Sequence, residues 1–135
     1  MDSILITGGC GFIGSNFINN YFYKSDLHII NVDNLYYCAS IDNIKKEIRN
    51  SERYTFIKGN ICSVDLMNYI RDNFKIKYVL HMAAQSHVQN SFEDSLQFTN
   101  DNVLGSHVLL ECFRKSPILK KFIHVSTDEV YGDLN

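Results

Sequence analysis

The sequence predicts an α/β protein built on a doubly wound parallel sheet, and three observations carry that expectation. Short, nearly continuous apolar runs alternate with longer segments of helical periodicity along the whole chain. Five such runs read as strands, and their lack of polar alternation suits strands covered on both faces, as in a parallel sheet. A glycine cluster joins the first run to the first helical segment. The pattern β-α-β-α-β-α-β-α-β, with right-handed crossovers, places the working loops at the carboxyl ends of the strands, in spatial order 3-2-1-4-5.

The strands are predicted at Ser3–Thr7, His28–Asp33, Tyr54–Lys58, Tyr78–Met82 and Lys121–Ser126. Between them, Phe12–Tyr23 follows the glycines as a helix. Ile41–Arg49 puts Ile41, Ile44 and Ile48 on one helical face. Ser63–Phe74 opens on Ser63 as N-cap and repeats Leu66, Tyr69 and Ile70. Phe98–Arg114 carries Val103, Val108, Leu109, Leu110 and Phe113.

The chain has 135 residues, enough for one domain. With 45% hydrophobic and 21% charged residues it has an ordinary globular balance. A net charge of -2 offers no basic field to a phosphate backbone, so nucleic acid is not an expected partner. Cys10, Cys38, Cys62 and Cys112 lack metal-site or disulfide spacing, so no metal is expected and the thiols read as reduced, in a cytoplasmic protein. No signal sequence and no run of about 20 apolar residues is present, so no membrane partner is expected.

"ITGGCGFIGSNF" supplies glycines at 8, 9, 11 and 14 between a strand and a helix, and Asp33 ends the next strand nineteen residues after Gly14. That layout is the one a dinucleotide requires. Gly8 permits a sharp turn, Gly11 lets backbone N–H groups approach a pyrophosphate, and Gly14 allows close helix packing. The helix N-terminus adds donors and partial positive charge. Asp33 is suited to the two adenosine ribose hydroxyls and repels a 2′-phosphate, which favours NAD over NADP. Asn60 and Ile61, past the third strand, suit the flank of an adenine ring or a plain turn. Ala83 and Ala84 leave room for a cofactor against the backbone. His81, inside an apolar run, reads as structural, whereas His87 suits either ligand contact or a solvated cap.

Together, "TGGCGFIG", "HMAAQSHV", "NVLGSHVLLE" and "STDEVYG" resemble the extended short-chain dehydrogenase/reductases, and among them the nucleotide-sugar 4,6-dehydratases. The resemblance runs through essentially the whole chain. "STDEVYGD" is its most specific part, since related epimerases usually have small or hydroxyl residues where Asp128 and Glu129 stand. "AAQSHVQNSF" and "LYYCASIDNI" are more similar to the UDP-glucose 4,6-dehydratase domain of multifunctional UDP-rhamnose synthases; dTDP-glucose enzymes of bacteria tend to have Glu at the position of Gln85.

The resemblance implies a Rossmann-type NAD-binding domain over residues 1–135, with Phe12, Ile13, Asn34, Met82, Ser86, Asp101 and Ser126 joining the cofactor residues above. It implies C4 oxidation of a hexose, loss of water across C5 and C6, and hydride return to C6. Glu129 would take the C5 proton, Asp128 would protonate the departing C6 hydroxyl, and Thr127 would bond the C4 oxygen, with His87 also at the substrate. The favoured substrate is UDP-glucose, with dTDP-glucose next, for rhamnose-type deoxysugar synthesis. Two departures stand out. Asn60 replaces the family's usual Asp. The Tyr-x-x-x-Lys pair and the sugar-nucleotide domain are expected beyond position 135, so the chain reads as the cofactor half, cut after the fifth strand and inactive alone. The full-length enzyme is expected to permit a homodimer. The competing expectation is a stand-alone NAD-binding or protein-interaction module without catalysis.

Overall fold

A computed structural model of the chain describes residues 1–36, 39–83 and 95–126. Five parallel strands, β1 (Asp2–Thr7), β2 (His28–Asp33), β3 (Tyr54–Lys58), β4 (Lys75–His81) and β5 (Lys121–His124), form one sheet in the order β3-β2-β1-β4-β5. This is the predicted order, with its reversal between β1 and β4. Helices α1 (Phe12–Tyr21), α2 (Lys46–Arg49), α3 (Val64–Asn73), α4 (Ser95–Thr99) and α5 (Gly105–Phe113) make the connections.

Successive side chains of a strand face opposite ways, and here both faces are covered. Leu5, Ile30 and Val79 join Met67, Ile70, Leu109 and Phe113 in one core layer. Ile4, Ile6, Ile29 and Leu80 join Ile18, Phe22, Ile44 and Ile48 in the other. Each fully buried Ile or Leu contributes about 1.5–3 kcal/mol. β5 departs from the expectation of two-sided burial. Among the described residues it is an edge strand with no strand beyond it, and Ile123 stays exposed, as does Val125 just past it.

The helices also differ from the expected ranges for local reasons. Ile41–Arg49 is a 3-10 turn (Ile41–Asn43) followed by the four-residue α2, because Ile44 is extended (φ -90°, ψ 132°). Ile44 and Ile48 are buried and Ile41 is exposed, so the three do not share a face. Ser63 caps α3 as expected, its Oγ accepting from Leu66 N–H at 3.3 Å, while the buried face is Met67 and Ile70 and Tyr69 is exposed. The last helical stretch starts at Ser95 and passes through a π turn over Asn100–Leu104 before α5. After α1, the Arg53 guanidinium donates to the carbonyls of Phe22, Ser25 and Leu27 at 2.8–3.0 Å, fixing that end against β3.

Candidate dinucleotide site

Strand register lines up the carboxyl ends. Thr7 pairs with Val32 and His81, Asp33 with Lys58, and His81 with His124. The Gly8–Gly11 loop, the Asp33–Leu35 turn, Asn60–Ile61, Met82–Ala83 and Ser126 therefore all follow the same edge of the sheet. Strand order reverses between β1 and β4, and the crevice beyond the carboxyl ends at such a switch point is where open α/β sheets place ligands.

Gly8 has φ +74°, a region disfavoured for side-chain-bearing residues. A Cβ there would also lie 2.8 Å from Ala83 Cα and N. Gly14 faces the Gly8 carbonyl so closely that a Cβ would overlap it. The close packing of the helix expected at Gly14 is thus against the loop's own backbone. Gly11 differs, since the nearest atom to a Cβ would be the Gly8 carbonyl oxygen at 3.6 Å, an ordinary contact without overlap.

The loop's N–H groups divide into two sets. Gly8 donates to the Val32 carbonyl (2.9 Å), Gly9 to Asn31 Oδ1 (3.0 Å) and Cys10 to Asp33 Oδ2 (2.9 Å). These bonds hold the loop to β2. Gly11 is the N-cap of α1 and gives it no side-chain cap, so the first-turn donors at Phe12 and Ile13 face outward. Both side chains are largely exposed, at 80% and 67%. A helix N-terminus with uncapped donors beside a cradle without Cβ atoms fits a pyrophosphate.

Asp33 has more to do than the sequence indicates. It is 8% exposed, and its Oδ1 accepts from Leu35 N–H at 2.8 Å while Oδ2 holds Cys10. Leu35 adopts φ 58°, so this bond also secures a strained turn. Each carboxylate oxygen keeps a second lone pair for a ligand hydroxyl. Beneath the loop, Asn31 is fully buried and its Nδ2 donates to Tyr54 Oη at 3.0 Å and to Cys10 Sγ at 3.5 Å. Burial, then the Asp33 charge, pushes the Cys10 thiol up to about 11, so it is an inert packing group at neutral pH. Asn31 and Tyr54 escaped the sequence reading. A polar residue within "HIINVD" was the available signal.

Asn60 is half-buried and its Oδ1 accepts from Cys62 N–H at 2.9 Å, closing a turn. Ile61 is 6% exposed and packs in the core. Asn34, Met82 and Ala83 are half-buried, and Ser126 is exposed just past β5. Ala84, Ser86, His87, Thr127, Asp128, Glu129 and the side chain of Asp101 lie outside the described residues. Among the described residues, no three His, Cys, Asp or Glu side chains converge as a metal site, and no helix is long and apolar enough to cross a membrane.

Residues 5–135 match the profile of the family described as GDP-mannose 4,6 dehydratase. The chain belongs to that family. It is 44% identical over 132 residues to a trifunctional UDP-glucose 4,6-dehydratase/UDP-4-keto-6-deoxy-D-glucose 3,5-epimerase/UDP-4-keto-L-rhamnose-reductase of Arabidopsis thaliana, an alignment covering 97% of this chain and 20% of that protein. It is 47% identical over 135 residues to a dTDP-D-glucose 4,6-dehydratase of Dictyostelium discoideum, covering 98% and 30%. Among solved structures, the dTDP-glucose 4,6-dehydratase DesIV of Streptomyces venezuelae, crystallised with NAD bound, superposes with a TM-score of 0.88 at 33% identity. That match covers 100% of this chain and 42% of DesIV. The chain therefore spans well under half the length of these family relatives.

Proposed function

We propose that residues 1–135 are the NAD-binding part of a nucleotide-sugar 4,6-dehydratase, with UDP-glucose as the favoured substrate. The observation that carries the reading is the glycine loop: β2 consumes its inner N–H groups, and the uncapped start of α1 faces the crevice beside Asp33. Phe12 and Ile13 offer main-chain donors to the pyrophosphate. Asp33 accepts the ribose hydroxyls, Asn34, Asn60 and Ile61 flank the adenine, and Met82, Ala83, Ala84, Ser86, Asp101 and Ser126 line the nicotinamide side. When bound, NAD would supply hydride acceptance from C4, which acidifies the neighbouring C5 proton, and return of that hydride to C6 once water has left.

The chain's own acid and base then act on the sugar. Glu129 removes the C5 proton, and Asp128 protonates the C6 hydroxyl, which leaves as water. Thr127 hydrogen-bonds the C4 oxygen and His87 contacts the substrate. Adjacent carboxyl groups divide these roles when their surroundings push their pKa values apart. The preference for UDP-glucose rests on Gln85 and the "LYYCAS" segment; the Arabidopsis and Dictyostelium relatives, named for UDP and dTDP sugars, are similar to the chain in comparable degree. Leu96, Val103, Leu104 and Leu110 leave an exposed apolar stripe along the 95–113 helix, which supports a homodimer of the full-length enzyme.

The test is an assay for the 4-keto-6-deoxy product with NAD, comparing UDP-glucose with dTDP-glucose. It needs a polypeptide extended through a Tyr-x-x-x-Lys pair and sugar domain, with residues 1–135 alone as control. Product only from the extended polypeptide, and faster from UDP-glucose, is expected. Product from residues 1–135 alone would refute the division of labour. A faster reaction with dTDP-glucose would overturn the substrate preference.

A further inference from the structure

His81 is fully enclosed at the end of β4, next to the switch point, and both ring nitrogens are engaged at 2.7 Å. Nδ1 meets Thr7 Oγ1, and Nε2 meets Ser106 Oγ near the start of α5. The hydroxyls settle which nitrogen carries the proton. Thr7 Oγ1 already accepts from the Ala83 N–H at 3.0 Å and shares the Met82 N–H, 3.1 Å away, with the Thr7 carbonyl, so its own proton points to Nδ1. Ser106 Oγ spends its single proton on the Asn102 carbonyl at 3.1 Å, so it accepts from Nε2. Both ends favour one state, a neutral imidazole protonated on Nε2. A proton on Nδ1 would compete with the Ala83 and Met82 N–H groups for the same oxygen.

We propose that His81 is a positioning residue for the cofactor crevice, a neutral bridge that locks the end of β1, the end of β4 and the π turn before α5 into one register. This rests on the NAD reading above and adds to it a residue that touches no ligand. Through Nδ1 it fixes the Thr7 hydroxyl, which holds Ala83. Ala83 is the floor on which Gly8 sits with no room for a Cβ. Through Nε2 it fixes Ser106, whose bond to Asn102 lies inside the π turn Asn100–Leu104. A π turn inserted in a helix commonly marks a functional segment. Asp101 belongs to that turn, so one imidazole sets both the phosphate loop and a segment across the crevice.

Two conservative variants separate the two bonds. The shorter amide of His81→Asn retains an acceptor for Thr7 and drops Ser106. The longer amide of His81→Gln retains a donor for Ser106 and drops Thr7. Ser106→Ala removes the same outer bond with His81 in place. Imidazole nitrogen NMR on the wild-type chain should show the Nε2–H tautomer unchanged between about pH 6 and 8. Backbone shifts should move around 102–106 in His81→Asn and Ser106→Ala, and around Thr7, Gly8 and Ala83 in His81→Gln. Each variant should weaken NAD about tenfold, the effect of one buried hydrogen bond. An Nδ1–H or imidazolium signal at neutral pH would overturn the bridge. Wild-type NAD affinity in any folded variant would reduce His81 to a packing residue. Failure of the wild-type chain to bind NAD would instead refute the cofactor reading, and the tautomer and shift pattern would then decide the bridge alone.

Discussion

Replacing Asp33 tests the site and its scaffold at once. Its carboxylate holds Cys10 N–H at 2.9 Å and Leu35 N–H at 2.8 Å in a nearly closed environment. Hydrogen bonds to a charged group contribute about 1.5–3 kcal/mol each, so Asp33→Ala should cost about 3–6 kcal/mol. That approaches the whole stability of a domain this size, about 5–15 kcal/mol. The alanine variant therefore cannot isolate a ribose contact, because the glycine loop and the Leu35 turn loosen with it. Asp33→Asn keeps one acceptor oxygen and should cost about 1.5–3 kcal/mol. It should also weaken NAD and narrow the gap to NADP, since the charge that repels a 2′-phosphate is gone. Urea denaturation gives the stabilities and titration calorimetry the affinities. An alanine variant within about 0.5 kcal/mol of wild type would refute the clamp. A folded asparagine variant with unchanged NAD affinity would remove Asp33 from the site.

Burial, and secondarily the neighbouring His124, lowers His81 from 6.5 to about 4. The unfolded chain then binds the extra proton first, so this contribution is fully present above about pH 6.5 and is lost towards pH 4, about 3 kcal/mol in all. Urea midpoints across that window should fall more steeply in wild type than in His81→Gln; equal slopes would contradict it. Gly8→Ala should cost at least about 1–2 kcal/mol for its left-handed backbone, beyond the overlap with Ala83, and should abolish NAD binding. A wild-type melting temperature would refute the strain argument. Tyr54→Phe should cost about 1–3 kcal/mol by stripping Asn31 Nδ2 of its better partner. A neutral effect on the urea midpoint would show that Cys10 Sγ suffices.

The strands and their order were legible because β1 and β2 are largely apolar on both faces, a pattern that suits a buried parallel sheet, and because helical segments alternate with them. β4 begins earlier than the apolar run, at Lys75, because exposed Lys75 and half-buried Lys77 flank the buried Ile76 and break the run. The Ile41–Arg49 helix failed because three correctly spaced isoleucines cannot reveal that Ile44 is extended. The left-handed turn at Gly8 and the close approach at Gly14 were readable because backbone geometry restricts which residues serve there. Asn31, Thr7 and Ser106 were not, since a buried hydrogen-bonded polar residue and a solvated one look alike in a sequence. Their partners lie 21–76 residues away or in backbone atoms, which no periodicity encodes.

The central claim is that the crevice at the carboxyl edge holds NAD through the glycine loop and Asp33. An amide NMR titration of the 135-residue chain tests it most directly, because it maps weak binding residue by residue. NAD should produce saturable shifts at Gly8–Gly14 and Asp33–Leu35, with NADP binding more weakly at the same positions. Saturable shifts confined to other surfaces, or none at these residues up to low-millimolar NAD, would contradict it.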